Sequence, residues 1–184
     1  MTVKEILEQA GTLTGREDVV KCLTQNLTAT DDTKTAISVM VRLLNMVIAE
    51  LSASFIPLVT IENVSASEKI TYNQLSKTPL EILKVYDSLG GEVPFKVCYD
   101  HVKISRHCDS VEYRYRHTNY GLEDTIDYTE KDITSTILAY GLAAEFALTE
   151  GDFDRACTMH DRYVEGVHAI CKPKNRNTKA RAWQ

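Results

Sequence analysis

The chain has 184 residues, 43% hydrophobic and 26% charged, a globular mixture long enough for one domain or for one domain carrying an insertion. Lys and Arg number 21 against 26 Asp and Glu, but the last 13 residues hold five basic residues and no acid, which leaves a net charge of −10 on the rest. An acidic body is expected to repel nucleic acid, and a basic end to seek an acidic partner.

Five cysteines, Cys22, Cys98, Cys108, Cys157 and Cys171, are odd in number and widely spaced. That pattern argues against a disulfide framework and fits a reducing cytosol. No apolar run approaches the roughly 20 residues of a membrane helix. The best stretch, Val39 to Leu51, is interrupted by Arg42, Asn45 and Glu50, so no membrane contact is expected. Met1 to Glu5 carries an acid early and lacks the compact apolar stretch of a signal peptide.

In chain order, Thr2-Val3-Lys4-Glu5 fits a capping box, with Val3, Ile6, Leu7 and Ala10 following at helical spacing. Gly11 and Gly15 suggest a break, after which Val19, Val20 and Leu23 continue an apolar face. Asn26 to Asp31 reads as a loop. Asp31 or Asp32 is then the cap of a longer helix to about Ser52, with Ile37, Met40, Val41, Leu44, Val47, Ile48 and Leu51 as its buried stripe. Pro57 ends helical propensity. From there to about Arg116 the pattern is strand-like, with alternation in Val59 to Glu62 and in Lys69 to Tyr72. Ile82 to Tyr86, the turn Asp87 to Gly91 and Pro94 to Tyr99 predict a hairpin. Val102 to Ile104 and Val111 to Arg116 complete a small sheet. After a connector, Thr129 is the expected cap of a helix burying Ile133, Ile137, Tyr140, Ala144 and Leu148, whose small residues let a neighbour approach. Gly151 suits a left-handed helix end, and a last helix presents Phe153, Ala156, Met159, Tyr163, Val167 and Ile170 on one face.

The expected fold class is therefore α+β: a helical bundle formed by N- and C-terminal helices, with an inserted small antiparallel β-sheet or sandwich. The expected divisions are N-terminal helices in residues 1–54, a β-domain in 55–120, a helical hairpin in 121–171 and a basic arm in 172–184.

Chemistry-bearing patterns are sparse. There is no glycine-rich phosphate loop, no CxxC pair and no nucleophile elbow. Cys98, Asp100, His101, His107 and Cys108 come nearest to a metal site. Yet Cys98 and His101, three apart, fall on opposite faces of a strand, so they read as ordinary strand and loop residues. Glu123, Asp124 and Asp127 read as a solvated, capping connector. His160 and His168, about 12 Å apart along a helix, are too distant for one metal. Tyr113, Arg114, Tyr115 and Arg116 read as a sheet with tyrosines on one face and arginines on the other. No catalytic, cofactor-binding or metal-binding residue is expected, nor enzymatic activity. The tail is different: Lys172, Lys174, Arg176, Lys179, Arg181 and Trp183 combine the interface-anchoring residue types and include the sole Trp. They are the candidate partner-binding residues.

Leu80-Glu81-Ile82-Leu83-Lys84-Val85-Tyr86, a glycine turn and Pro94-Phe95-Lys96-Val97 resemble the central sheet of tailed-bacteriophage neck proteins. The stretch from Tyr140 to Ala156, with Tyr163 and the basic Trp-containing end, resembles their helical hairpin and arm. These are the head-to-tail connector or adaptor proteins, a group that includes podoviral tail tubular protein A. The resemblance follows the order of elements over most of the chain and leaves the N-terminal helices unaligned. It implies a ring, commonly a dodecamer, assembled in host cytoplasm, sitting in the virion neck below the portal and meeting other neck and tail proteins. It implies an arm, Lys172 through Trp183, that docks on the portal, and a bore through which double-stranded DNA passes without specific binding. The rival expectations are a nucleic-acid-binding protein using the tail and the Tyr/Arg strand, and a small helical scaffold protein that forms no ring.

Overall fold

The computed structural model describes residues 1–25, 28–126, 128 and 133–171. The fold is α+β, with five helices and two three-stranded antiparallel sheets among the described residues. It divides into a helical unit, residues 1–48 with 119 onward, and a β unit, residues 49–118. These divisions fall at 48/49 and 118/119, where the sequence suggested 54/55 and 120/121.

The helical unit begins with α1 (Val3–Thr14), capped by Thr2, whose side chain accepts from the Glu5 amide. Glu5 does not complete the box by reaching back; its carboxylate accepts from the Ser135 hydroxyl, 3.0 Å away. Gly11 does not break α1. A Cβ there would lie 3.0 Å from Val20 Cγ2, so the glycine lets the next helix approach. Gly15, at φ 77°, ends the helix instead, and α2 (Glu17–Gln25) follows. The long helix α3 (Asp31–Glu50) is capped by Thr30, whose hydroxyl accepts from the Thr33 amide, and not by either aspartate. Its stripe is rotated from expectation. Ala36 and Leu43 are buried with Met40, Leu44, Val47 and Ile48, while Ile37 and Val41 are half-buried.

A π-helical turn, Leu51–Phe55, prolongs α3. The continuous helix Asp31–Phe55, 25 residues with mean hydropathy 1.6, is long and apolar enough to be a candidate membrane span, contrary to the expectation that no run comes close. Single polar interruptions such as Asn45 do not lower the average enough. Its buried apolar positions pack within the protein as a core helix does.

Past the connector, α4 (Ser135–Thr149) is capped by Thr134. The expected start at Thr129 to Asp132 lies outside the described residues. Leu138, Leu142, Phe146 and a run of small residues are buried, while Tyr140 is half-buried and Leu148 exposed, so the predicted stripe was off by a fraction of a turn. Gly151, at φ 78°, makes the tight turn into α5 (Phe153–Cys171), where the Arg155 amide donates to the Asp152 side chain. Gly141 sits where three helices converge. A Cβ there would come 2.9 Å from Val47 of α3 and 3.0 Å from Tyr163 of α5.

In the β unit, β1 (Val59–Ala66), β3 (Pro79–Tyr86) and β6 (Cys108–Tyr115) form one sheet in the order β1-β6-β3. The other, β2-β5-β4, joins β2 (Lys69–Thr71), β5 (His101–Ile104) and β4 (Phe95–Val97). The predicted hairpin between Ile82–Tyr86 and Pro94–Tyr99 is not made. The turn forms, held by Asp87 accepting from the amides of Leu89 and Gly91, and the Val93 amide still donates to Val85. Pro94 then has no hydrogen to continue that ladder. The chain departs, and Phe95, Lys96 and Val97 pair with Ile104, Lys103 and Val102 of β5.

Candidate functional site

The six predicted partner-binding residues, Lys172, Lys174, Arg176, Lys179, Arg181 and Trp183, lie outside the described residues. What the structure describes is the surfaces available to partners, and the polar networks beneath them.

On the helical unit a charge cluster closes one end of the bundle. Arg16 follows the α1 cap and reaches three carboxylates: Asp18 and Asp32, each at 3.0 Å, and Glu150 at 3.8 Å, with its guanidinium 5.9 Å from the Phe146 ring centroid. Asp18 also accepts from the Thr33 hydroxyl at 2.9 Å. The Arg16 hydrogen bond, reinforced by Thr33 and by Coulomb attraction, holds the Asp18 carboxyl well below the usual carboxylate range. Arg155 pairs with Asp152 and donates to the Thr14 carbonyl at 2.7 Å, satisfying an α1 end group. Each cation is met by acids or carbonyls, so this cluster joins helix ends rather than presenting a reactive group. Asn45, read in sequence as an interruption, donates to the Tyr120 carbonyl and accepts from the Tyr120 amide, at 3.0 and 2.8 Å. It ties α3 to the connector.

On the β unit the first strand inverts the plain reading of its alternation. Ile61 is 62% exposed and Val59 is exposed beside it, while Glu62 is half-buried on the other face of the strand. There it accepts from the Tyr113 hydroxyl at 2.6 Å and from the Ser76 amide and hydroxyl at 3.0 Å. Those donors, Tyr113 first, pull the Glu62 carboxyl below its ordinary value. Because β1 and β3 are outer strands, Val59 and Ile61 stand on an open sheet edge. Leu80 and Val97 are also exposed, beside a groove of about 350 Å³ lined with Tyr72, Pro79, Glu81 and Ile82. The sequence signal missed here was Glu62, a half-buried carboxylate held by the Tyr113 and Ser76 donors on the face of β1 opposite Val59 and Ile61.

The weaker sequence signals resolve individually. Tyr113 is fully buried and Tyr115 nearly so, while Arg114 pairs with Glu81 at 3.0 Å. That is the arrangement of tyrosines inside and arginines outside, and it removes the rings from base stacking. His101 contacts Asp100, and His107 contacts Ser67 and lies 3.4 Å from Asp109. Cys108 is buried against the Val64 carbonyl, and burial pushes its thiol pKa up. Among the described residues no group of three or more His, Cys, Asp or Glu is placed to hold a metal ion. Asp124 closes a turn by accepting from the Gly121 amide at 2.7 Å; Asp127 lies outside the described residues. His160 and His168 are exposed on α5.

No family model matches the chain, and no curated protein matches it.

Proposed function

We propose that this chain is a structural, non-catalytic subunit that closes into a homo-oligomeric ring joining portal to tail in a tailed bacteriophage, with DNA passing through the bore. The observation carrying this reading is the open edge of the β1-β6-β3 sheet, where Val59 and Ile61 face outward. A strand paired on one side only, with exposed β-branched apolar residues, is a liability in a lone molecule. A closed cyclic assembly removes such an edge by pairing it with the next copy. The element order supports the reading: helices, an inserted β unit, then a helical hairpin leading into a basic tail. So does the charge of the helical unit, which would keep DNA sliding if its acids face the bore. The arm then supplies portal attachment through Lys172, Lys174, Arg176, Lys179, Arg181 and Trp183.

Sedimentation and electron microscopy of the chain with a portal from the same genome test this. The expected result is a ring seated on the portal, lost on deleting residues 172–184. Ile61→Lys is expected to keep the fold, with a stability change within about 0.5 kcal/mol, and to abolish the ring. A chain that stays monomeric beside the portal, or one whose Ile61→Lys variant assembles normally, overturns the proposal.

A further inference from the structure

The outward side of α5 combines exposed carboxylates with an exposed aromatic residue. Tyr163 and Val167 define the buried side. Opposite them, Asp154, Asp161 and Glu165 fall within about 40° of one another on the helical wheel, forming one ridge. All three are exposed, and none makes an ion pair among the described residues. Alongside the ridge, Phe153 is 67% exposed, Cys157 is exposed and Val164 is half-buried. An exposed aromatic beside Asp154, at one end of a carboxylate ridge with no ion pair among the described residues, suits a cationic ligand that carries an aromatic group at one end. A second copy of α5 would bring acid against acid.

The chain itself supplies the complement. Immediately after Cys171, residues 172–184 carry five cations, no anion and the sole Trp. We propose that this segment docks on the outward face of its own α5, pairing its Lys and Arg residues with Asp154, Asp161 and Glu165 and laying Trp183 against Phe153. The lengths agree: α5 runs about 27 Å from Cys171 back to Phe153. The twelve residues from Lys172 to Trp183 reach about 40 Å when extended. Tethering gives the arm an effective concentration of order millimolar, which favours its own helix over that of a neighbour. A partner then acquires the arm only by outcompeting α5. The inference stands on charge and length within one subunit and is independent of the portal reading.

Trp183, as the only Trp, is a built-in probe in the full chain. At low salt its fluorescence is expected to be quenched by acrylamide about two-fold more slowly than in an Asp154→Asn, Asp161→Asn, Glu165→Gln variant. Salt of about 1 M, which shortens the screening length to about 3 Å, should bring the wild type to the variant's rate. Neutralising the arm instead, by Arg176→Gln, Lys179→Gln and Arg181→Gln, should release Trp183 equally and leaves the helix untouched should the first variant misfold. Glu68→Gln, in the β unit, should change nothing. Equal quenching of wild type and both variants overturns the proposal, as does protection that grows with protein concentration, which would place the arm on another copy.

Discussion

The two units solve the problem of specification in opposite ways. The helical unit puts its precision inside: Gly141 admits α3 and α5 to near-contact distance, Gly11 admits α2, and Asn45 clamps the connector. It carries 17 acidic and 13 basic residues, five of the basic ones in the tail, so residues 1–48 and 119–171 hold 17 acidic against 8 basic. The β unit is nearly balanced, with 9 acidic and 8 basic residues in 49–118. It holds the half-buried Glu62 carboxylate with Tyr113 and Ser76 and leaves Val59, Ile61, Leu80 and Val97 exposed. The lesson is that one unit concentrates charge on its surface while the other leaves apolar side chains exposed beside near-balanced charge.

The sharpest way to break that contrast is Gly141→Val. Its added atoms meet Val47 and Tyr163, and overpacking of this kind is expected to cost about 3 kcal/mol. Hydrogen exchange should rise across α1, α3, α4 and α5 more than across β1 to β6. An equal rise in both units would show that they open as one.

Tyr113→Phe is the complementary test. It removes the hydroxyl that donates to Glu62 but leaves Ser76 in place, for an expected loss of about 1 kcal/mol in urea melts. The increase in exchange should fall mainly in residues 49–118.

The smallest expected effect is acid sensitivity through Asp18. Its carboxyl stays ionised in the folded chain to lower pH than in the unfolded chain, where the value is about 3.9. Its stabilisation is therefore complete above about pH 5 and drains away as pH falls below about 4. With 41% of the side chain exposed, screening keeps the contribution below about 1 kcal/mol. Asp18→Asn should flatten that part of the pH–stability curve for the helical unit alone.

Much of the helical unit was legible because local rules decide it. Thr2 caps α1 and Gly151 turns the chain, each needing only its neighbours. Positions set by a partner were less so. Phe153 belongs to the predicted apolar face, yet as the first residue of α5 it stays 67% exposed among the described residues. The strands were placed, but their pairing was not. Pairing Phe95 to Val97 with β5 instead of β3 depends on Pro94 and on residues arriving later in the chain. Glu62 shows the same limit: alternation gives the two faces of a strand, and only the Tyr113 and Ser76 donors tell which is inside. The tail residues expected to bind a partner lie outside the described residues, whereas the exposure of Val59 and Ile61 on β1 came from the structure alone.

That edge also bears on how the protein can be handled. A molecule whose outermost strand shows Val59 and Ile61 to water carries an aggregation hazard that grows with concentration. Overproduced by itself, it should pass into irregular clumps through the same ridge that orderly assembly would conceal. Yield of dispersed material should then depend less on how firmly each copy folds than on how soon it finds its neighbours.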